Sequence, residues 1–180
     1  EYIADLLFKR EFDEYGNPKG MALSNWRGNI GAGRYENRKN HEVTSTWNRT
    51  ECFLSPNGTY DFTKQAGQQW FMNAARVRGM NDFLFFTNSA PYFMTRTGST
   101  LSADSECINL QHDKFDDFAR FLIRCVQHFR ENGYNIKYVS PLNEPNVEWH
   151  TNSWQEGTFA TKSDIYKMVA ITACQAMDAK

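Results

Sequence analysis

The sequence predicts an α/β fold in which parallel strands alternate with helices. Apolar residues recur at steps of three and four in several segments, which is the period of an amphipathic helix, and short β-prone runs stand between them. Long polar stretches follow each strand, whereas the turns from helix to strand are short. This alternation indicates parallel strands joined by crossover helices.

The first half of the chain predicts a helix, a strand and a second helix. Ile3 to Phe8 resembles the end of an amphipathic helix, and residues 20–27 form a weaker strand before a glycine-rich bend at 28–33. A further apolar stripe predicts a helix that ends near Gly79. The residues of this stripe are Phe62, Ala66, Trp70, Ala74 and Val77.

The second half repeats the pattern. Residues 82–87 are almost continuously apolar, which is typical of a strand buried on both faces, and residues 113–131 form the clearest helix, with Gly133 as its C-cap glycine. A β-prone run at 136–142 and a helix with Ser163 as N-cap follow. The last helix is expected to bury Ile165, Met168, Val169, Thr172, Ala173 and Ala176.

Three long polar stretches, 34–60, 88–112 and 143–162, lie at the C-terminal ends of the predicted strands. Active sites of α/β folds are built at these ends. The arrangement therefore predicts which edge of the sheet carries the function.

Composition excludes several classes of protein. The 180 residues contain 20 Lys plus Arg and 21 Asp plus Glu, so the net charge is −1, whereas a nucleic-acid partner requires a basic face. No run of eighteen apolar residues predicts a membrane span. The chain is long enough for one domain with its own core.

No metal site or cofactor motif is evident. The four cysteines show no CxxC spacing, the four histidines form no HExxH, and the glycines at 28–33 are spaced GxxGxG rather than as a dinucleotide fingerprint. Cys125 and Cys174 are expected to be small buried residues of helix faces, and His128 is expected to be solvated. We expect no cofactor.

The triplet Asn143-Glu144-Pro145 directly follows the third strand. A carboxylate there is aimed into the site, Asn143 can bond a substrate hydroxyl, and the proline favours an extended backbone at Glu144. Trp149, His150 and Trp154 follow closely. Carboxylates, amides and flat aromatics suit sugars, although a strand-ending turn and ordinary core packing are the alternative interpretations.

Three segments carry a specific resemblance: YVSPLNEP at 138–145, LFFTNSAPYFM at 84–94 and WRGNIGAG at 26–33. In this order they resemble successive strand-end motifs of glycoside hydrolase family 30, closest to its endo-β-1,6-galactanase-like branch. The segment Gln155-Glu156-Gly157 is similar to that branch as well. The resemblance implies a partial (β/α)8 TIM barrel over residues 1–180, covering strands two to four and lacking strand one and the C-terminal half.

The resemblance also implies roles for individual residues. Glu144 corresponds to the general acid/base, Asn143 to the asparagine that contacts the sugar 2-hydroxyl, and Arg27 to an arginine near the catalytic carboxylates. The residues expected to shape the central sugar subsite are Asn88, Ser89, Pro91 and Tyr92, with either Tyr92 or Phe93 as the stacking aromatic. Trp149, His150 and Trp154 are expected to contact substrate.

The expected function is retaining hydrolysis of a β-linked polysaccharide such as β-1,6-galactan, in a secreted or periplasmic protein. The resemblance places the nucleophile at the end of strand seven, outside this chain, so the chain alone is expected to be inactive and to self-associate through its open edges. Two alternatives remain: a non-catalytic carbohydrate-binding half barrel, and a small doubly wound domain that binds a phosphorylated ligand.

Overall fold

The computed structural model describes residues 1–33, 43, 48–150 and 153–179. Their order is α1 (Tyr2–Phe8), β1 (Asn25–Asn29), α2 (Ala66–Val77), β2 (Asp82–Phe86), α3 (Phe115–Glu131), β3 (Ile136–Ser140) and α4 (Lys162–Asp178), with a short 3₁₀ helix at Tyr92–Met94. The described strands form one parallel sheet in the order β1-β2-β3. The predicted α/β class with alternating elements is confirmed.

The two faces of the sheet differ in their cover. Trp26 lies opposite Phe83 and contacts Phe8 of α1 and Phe71 of α2. Phe85 packs edge-on against Phe129 of α3, at 5.0 Å between ring centroids. The helices therefore cover the face that carries Trp26, Phe83 and Phe85.

The opposite face is open. Arg27, Leu84 and Tyr138 are register partners and therefore share this face. Arg27 is exposed, and 59 % of the Tyr138 surface is accessible. In a closed (β/α)8 barrel, this face of the strands forms the filled interior.

The structure corrects the predicted first strand. β1 begins at Asn25 and includes Gly28 and Asn29, which were assigned to the bend. Upstream, the backbone N–H groups of Met21 and Leu23 donate to carbonyls of Leu6 and Leu7. Because these groups are bonded to the α1 segment, the residues before Asn25 do not join the sheet.

The buried face of α2 differs from the predicted stripe. Met72, Ala74 and Ala75 are buried, whereas Trp70 and Val77 are exposed. One residue turns a helix by about 100°, and the stack of Phe71 on Trp26 sets its rotation. The helix begins only at Ala66, so Phe62 lies before it.

The start of α4 also differs from the prediction. Its N-cap is Thr161, whose hydroxyl accepts from the Asp164 N–H while the Asp164 carboxylate accepts from the Thr161 N–H. Ser163 therefore lies inside the helix. Of the predicted buried face, Met168 and Thr172 are buried, whereas Val169, Ala173 and Ala176 are exposed beside β3.

Four further residues can be compared with their predictions. Gly133 follows the last turn of α3 with a φ of 82°, as its C-cap role requires. Cys125 is buried as predicted, but Cys174 is exposed. His128 is not simply solvated, because its ring stacks on Phe62 with centroids 3.6 Å apart.

Candidate functional site

The ends of all three strands meet at one side chain, Arg27. Its guanidinium donates to the Asn143 amide oxygen and lies 3.4 Å from the centroid of the Phe86 ring. Arg27 comes from β1, Phe86 ends β2, and Asn143 follows β3. The structure therefore brings Arg27 and Asn143 together at the strand ends, and their contacts with substrate remain predictions.

Glu144 stands next to this link. The Asn143 Nδ2 lies 3.4 Å from Glu144 Oε2, and the Glu144 side chain is exposed. The order Arg27, Asn143, Glu144 therefore forms a continuous polar chain across the sheet end. An exposed carboxyl group at this point is accessible to a ligand on the open side.

The backbone of Glu144 contradicts the extended conformation that the following proline predicted. Its φ is +44°, in the left-handed region. Such a conformation costs a residue with a side chain about 1–3 kcal/mol. Surrounding contacts must hold it, since Pro145 removes only the right-handed helical alternative.

Trp149 supplies one of these contacts. Its indole N–H donates to the Glu144 carbonyl oxygen at 3.0 Å, and only 6 % of the residue is exposed. Gly157 packs directly against the ring, where a Cβ atom would lie 2.3 Å from the indole. The structure therefore buries Trp149 behind the Glu144 loop, and its contact with substrate remains a prediction.

The segment after β2 is folded tightly. Ser89 is buried and its hydroxyl donates to the Ala90 carbonyl at 3.0 Å, while Asn88 is half-buried. Tyr92 is half-buried, its N–H donates to the Ala32 carbonyl, and its ring meets Phe93 edge-on at 5.3 Å. This joins the segment to the glycine-rich loop after β1.

His150 and Trp154 flank residues 151–152, which lie outside the described part of the chain. His150 Nε2 lies 3.4 Å from Glu148 Oε2, and the ring is half-exposed. Trp154 is 68 % exposed, and its carbonyl accepts from Asn48 Nδ2 at 2.6 Å. The exposed indole face of Trp154 suits stacking on a sugar ring.

The other glutamates of this loop are placed differently from Glu144. Glu148 is exposed and faces His150. Glu156 is fully buried, and its Oε1 accepts from the Thr50 N–H at 3.4 Å. Because Glu156 is buried and accepts a hydrogen bond from the β1–α2 loop, it links two loops and does not face the open side of the sheet.

Sequence reasoning missed two site features. Phe86 was assigned only to the strand, yet its ring supports the Arg27 guanidinium. Gly157 was noted only as part of a motif, yet its missing side chain makes room for Trp149. The alternation of β2 could have placed Phe86 on the open face, whereas no local pattern identifies Gly157.

The described residues hold no group of three His, Cys, Asp or Glu side chains that could bind a metal ion. No helix in the described part of the chain is long and apolar enough to cross a membrane. The strand ends themselves present a carboxyl group, a polar amide, a guanidinium and an aromatic ring.

Sequence comparisons match this chain to a family and to a curated relative. The model of the family described as O-Glycosyl hydrolase family 30 matches residues 1–180. An exo-beta-1,6-galactobiohydrolase from Bifidobacterium longum subsp. longum is 31 % identical over 110 residues, which cover 58 % of this chain and 7 % of that protein.

Solved structures extend the comparison. A conserved exported protein from Bacteroides fragilis is 71 % identical with a TM-score of 0.94, over 99 % of this chain and 36 % of that one. The catalytic domain of GH30 xylanase C from Talaromyces cellulolyticus is 19 % identical with a TM-score of 0.68, over 98 % of this chain and 38 % of that domain. The fold is therefore part of a (β/α)8 barrel, and the chain spans little more than a third of these structures.

Proposed function

Because the chain belongs to O-glycosyl hydrolase family 30, we propose that it carries the acid/base half of a retaining β-glycosidase site, with Glu144 as the general acid/base. The observation that carries this proposal is the link from Arg27 through Asn143 to Glu144 at the strand ends. It presents one exposed carboxyl group beside a polar amide on the open side of the sheet.

The chemistry requires a second carboxylate. In the first step, the Glu144 carboxyl group donates its proton to the glycosidic oxygen while the partner carboxylate attacks the anomeric carbon and the leaving group departs. In the second step, the Glu144 carboxylate takes a proton from water, which displaces the enzyme from the sugar with net retention. The two groups must lie about 5–5.5 Å apart in such an enzyme.

The partner carboxylate belongs to the remaining barrel in this proposal. Three parallel strands cannot close a barrel, and a full (β/α)8 domain takes about 250 residues. The open face with Arg27 and Tyr138 and the exposed face of α4 support a single, incomplete catalytic domain. Strand one and the C-terminal half would then come from a longer protein.

A β-1,6-galactan is the proposed substrate class. It is supported by the 31 % identity to a protein described as an exo-beta-1,6-galactobiohydrolase. The exposed Trp154, ten residues after Glu144 in the same loop, supports a carbohydrate ligand. A secreted or periplasmic location is proposed because the 71 % identical Bacteroides fragilis protein is described as exported.

A non-catalytic carbohydrate-binding half barrel is the second candidate. For the 180 residues alone, the other two glutamates of the Glu144 loop favour this candidate. Glu148 faces His150 and Glu156 is buried, so neither is placed as a second catalytic carboxylate. The two candidates differ in turnover, because a binding module keeps its ligand unchanged.

The test is turnover of a panel of β-linked oligosaccharides that includes β-1,6-galacto-oligosaccharides. We define the full barrel as a protein that continues this chain through eight βα units. The test compares this chain, the full barrel and the Glu144→Gln variant of the full barrel. We expect activity only in the full barrel and a loss of at least about 100-fold in Glu144→Gln.

Glu106→Gln, which changes an exposed carboxylate in the β2–α3 loop, is the matched control and should retain activity. Full activity in Glu144→Gln would contradict the proposed role. Turnover by the 180-residue chain would place a second catalytic carboxylate within it.

A further inference from the structure

The peptide group between Glu144 and Pro145 is held by the residues that follow it. The Glu144 carbonyl oxygen accepts from the Val147 N–H and from the Trp149 indole N–H, both at 3.0 Å. The next carbonyl, that of Pro145, accepts from the Ala160 N–H at 2.8 Å. These bonds fix the orientation of the peptide planes on the C-terminal side of Glu144.

Trp149 itself has little freedom to move. Its carbonyl accepts from the Ser102 N–H at 2.7 Å, and Gly157 packs against its ring. Gly157 in turn donates its N–H to the Thr100 carbonyl at 3.0 Å. The indole is therefore clamped between the β3–α4 loop and the β2–α3 loop.

The β2–α3 loop is ordered by one buried amide. Asn109 is 2 % exposed, and its Nδ2 donates to the carbonyls of Ser99 and Leu101 at 3.1 and 2.8 Å. Its backbone N–H donates to the Thr158 hydroxyl at 2.9 Å, which reaches back to the β3–α4 loop. The surface against which Trp149 packs is therefore built before any ligand binds.

We propose that Trp149 is a positioning residue for Glu144, an inference that rests on the proposed acid/base role. Its indole N–H bonds the Glu144 carbonyl and so maintains the left-handed backbone of Glu144. That backbone conformation sets the direction of the Glu144 side chain. A residue with a side chain rarely keeps a positive φ without such support. Without the indole N–H, only the Val147 N–H holds this carbonyl, so Glu144 relaxes toward an extended backbone and its carboxyl group turns away from the glycosidic oxygen.

This role makes a kinetic prediction that differs from that of a sugar platform. A positioning residue acts in the proton-transfer step, so its loss lowers kcat and leaves KM nearly unchanged. A platform binds substrate and transition state alike, so its loss raises KM. Substrates with acidic leaving groups need little proton donation in the first step, so their kcat/KM, which reports that step, should be least affected.

The first experiment compares Trp149→Phe with Trp70→Phe in the full barrel. Trp149→Phe keeps an aromatic ring but removes the donor, whereas Trp70 is 45 % exposed on α2. We expect kcat on an oligosaccharide to fall about 10- to 100-fold in Trp149→Phe, with KM changed less than twofold, and we expect a much smaller loss of kcat/KM on an aryl glycoside. Trp70→Phe should match the wild type, and a raised KM with unchanged kcat in Trp149→Phe would overturn the inference.

A second pair of variants displaces the Trp149 indole by changing Gly157, which packs against it. In Gly157→Ala the new methyl group would collide with the ring, whereas Gly67 of α2 has open space at its Cβ position. We expect Gly157→Ala to show the same dependence on the leaving group as Trp149→Phe, and Gly67→Ala to show none. Equal losses of kcat/KM on both substrate types in Gly157→Ala would overturn the inference.

A readout without turnover separates this inference from the proposed function. The indole N–H of Trp149, assigned by its disappearance in Trp149→Phe, should exchange with solvent at least tenfold more slowly than that of the exposed Trp154. Exchange at the rate of Trp154 would overturn the positioning role. If Glu144→Gln is inactive but Trp149→Phe behaves like Trp70→Phe, the positioning role is wrong and the proposed function stands. If Glu144→Gln is active, the proposed function is wrong.

Discussion

Arg27 donates a hydrogen bond to the amide oxygen of Asn143, 116 positions further along the chain. The same guanidinium stacks on Phe86, so a single side chain from β1 contacts the ends of both other strands. Such a contact is available only when three parallel strands end at the same level. It fixes the amide that adjoins Glu144 before a substrate arrives.

Arg27→Lys should therefore lower the activity of the full barrel about tenfold. Lysine keeps the charge but cannot stack a planar group on Phe86 and bond Asn143 at the same time. The loss corresponds to about 1.4 kcal/mol in the transition state, which is the scale of one charge-assisted hydrogen bond. The measurement is kcat/KM on β-1,6-linked galacto-oligosaccharides.

Arg10→Lys, at an exposed position before β1, is the control and should leave kcat/KM unchanged. An Arg27→Lys variant with wild-type kcat/KM would show that the guanidinium does not support the site.

The folded protein should lose stability as the pH falls below about 6.5. Burial against Phe62, and secondarily the charge of Arg124, lower the pKa of His128 from 6.5. The folded state therefore binds fewer protons than the unfolded state, so this stabilisation is complete above pH 6.5 and is lost as the pH falls toward the folded pKa. Urea midpoints at pH 5.5 and 7.5 measure the effect.

The matched variants are His128→Gln and His112→Gln, the latter at an exposed position. His128→Gln should flatten the dependence between these pH values, and His112→Gln should retain it. The same slope in His128→Gln as in the wild type would show that another group is responsible.

The cysteines should differ sharply in their reaction with iodoacetamide. Burial raises the pKa of Cys52 to about 12 and that of Cys125 well above its usual value, whereas Cys174 is exposed. The thiolate is the nucleophile, so even at pH 9 the two buried thiols should stay intact while the exposed Cys174 is modified. Peptide mass spectrometry locates the labels.

Denaturation should make Cys52 and Cys125 reactive. Alkylation of Cys125 in the folded protein at the rate of Cys174 would contradict the described packing of α3 against the sheet.

The 180-residue chain should self-associate. β3 is an edge of the described sheet, Tyr138 is exposed, and Val169 and Ala173 line the groove beside it. Open strand edges and apolar surfaces promote association. Size-exclusion chromatography with light scattering should show oligomers, and Tyr138→Lys should increase the monomer fraction. A stable monomer that binds no hydrophobic dye would contradict this prediction.

The sequence predicts the order of elements because helical and strand periodicities differ and can be read locally. The helix α3 is the clearest case, since one apolar stripe faces the sheet. The buried face of α2 could not be predicted from periodicity, because Ala66, Trp70 and Val77 form an equally regular stripe that faces solvent. The tertiary stack between Phe71 and Trp26 decides between the two faces.

The candidate site, too, could be predicted only in part from the sequence. Glu144 and Asn143 could be identified from their position after a strand and from a family resemblance. The left-handed backbone of Glu144 could not, because the rule for a residue before proline favours an extended chain. The Glu144 carbonyl is bonded by Val147 and Trp149, and the Pro145 carbonyl is bonded by Ala160. These contacts depend on the fold of the loops and are not visible in the local sequence.

The role of Glu144 is tested most directly by Glu144→Ala in the full barrel, with an aryl β-galactoside and added azide. If Glu144 is the general acid/base, its loss slows hydrolysis of the glycosyl-enzyme, and azide, which needs no general base, restores turnover and gives a β-galactosyl azide. Hydrolysis at the wild-type rate without azide, or a slowed variant that forms no azide adduct, would contradict the assignment.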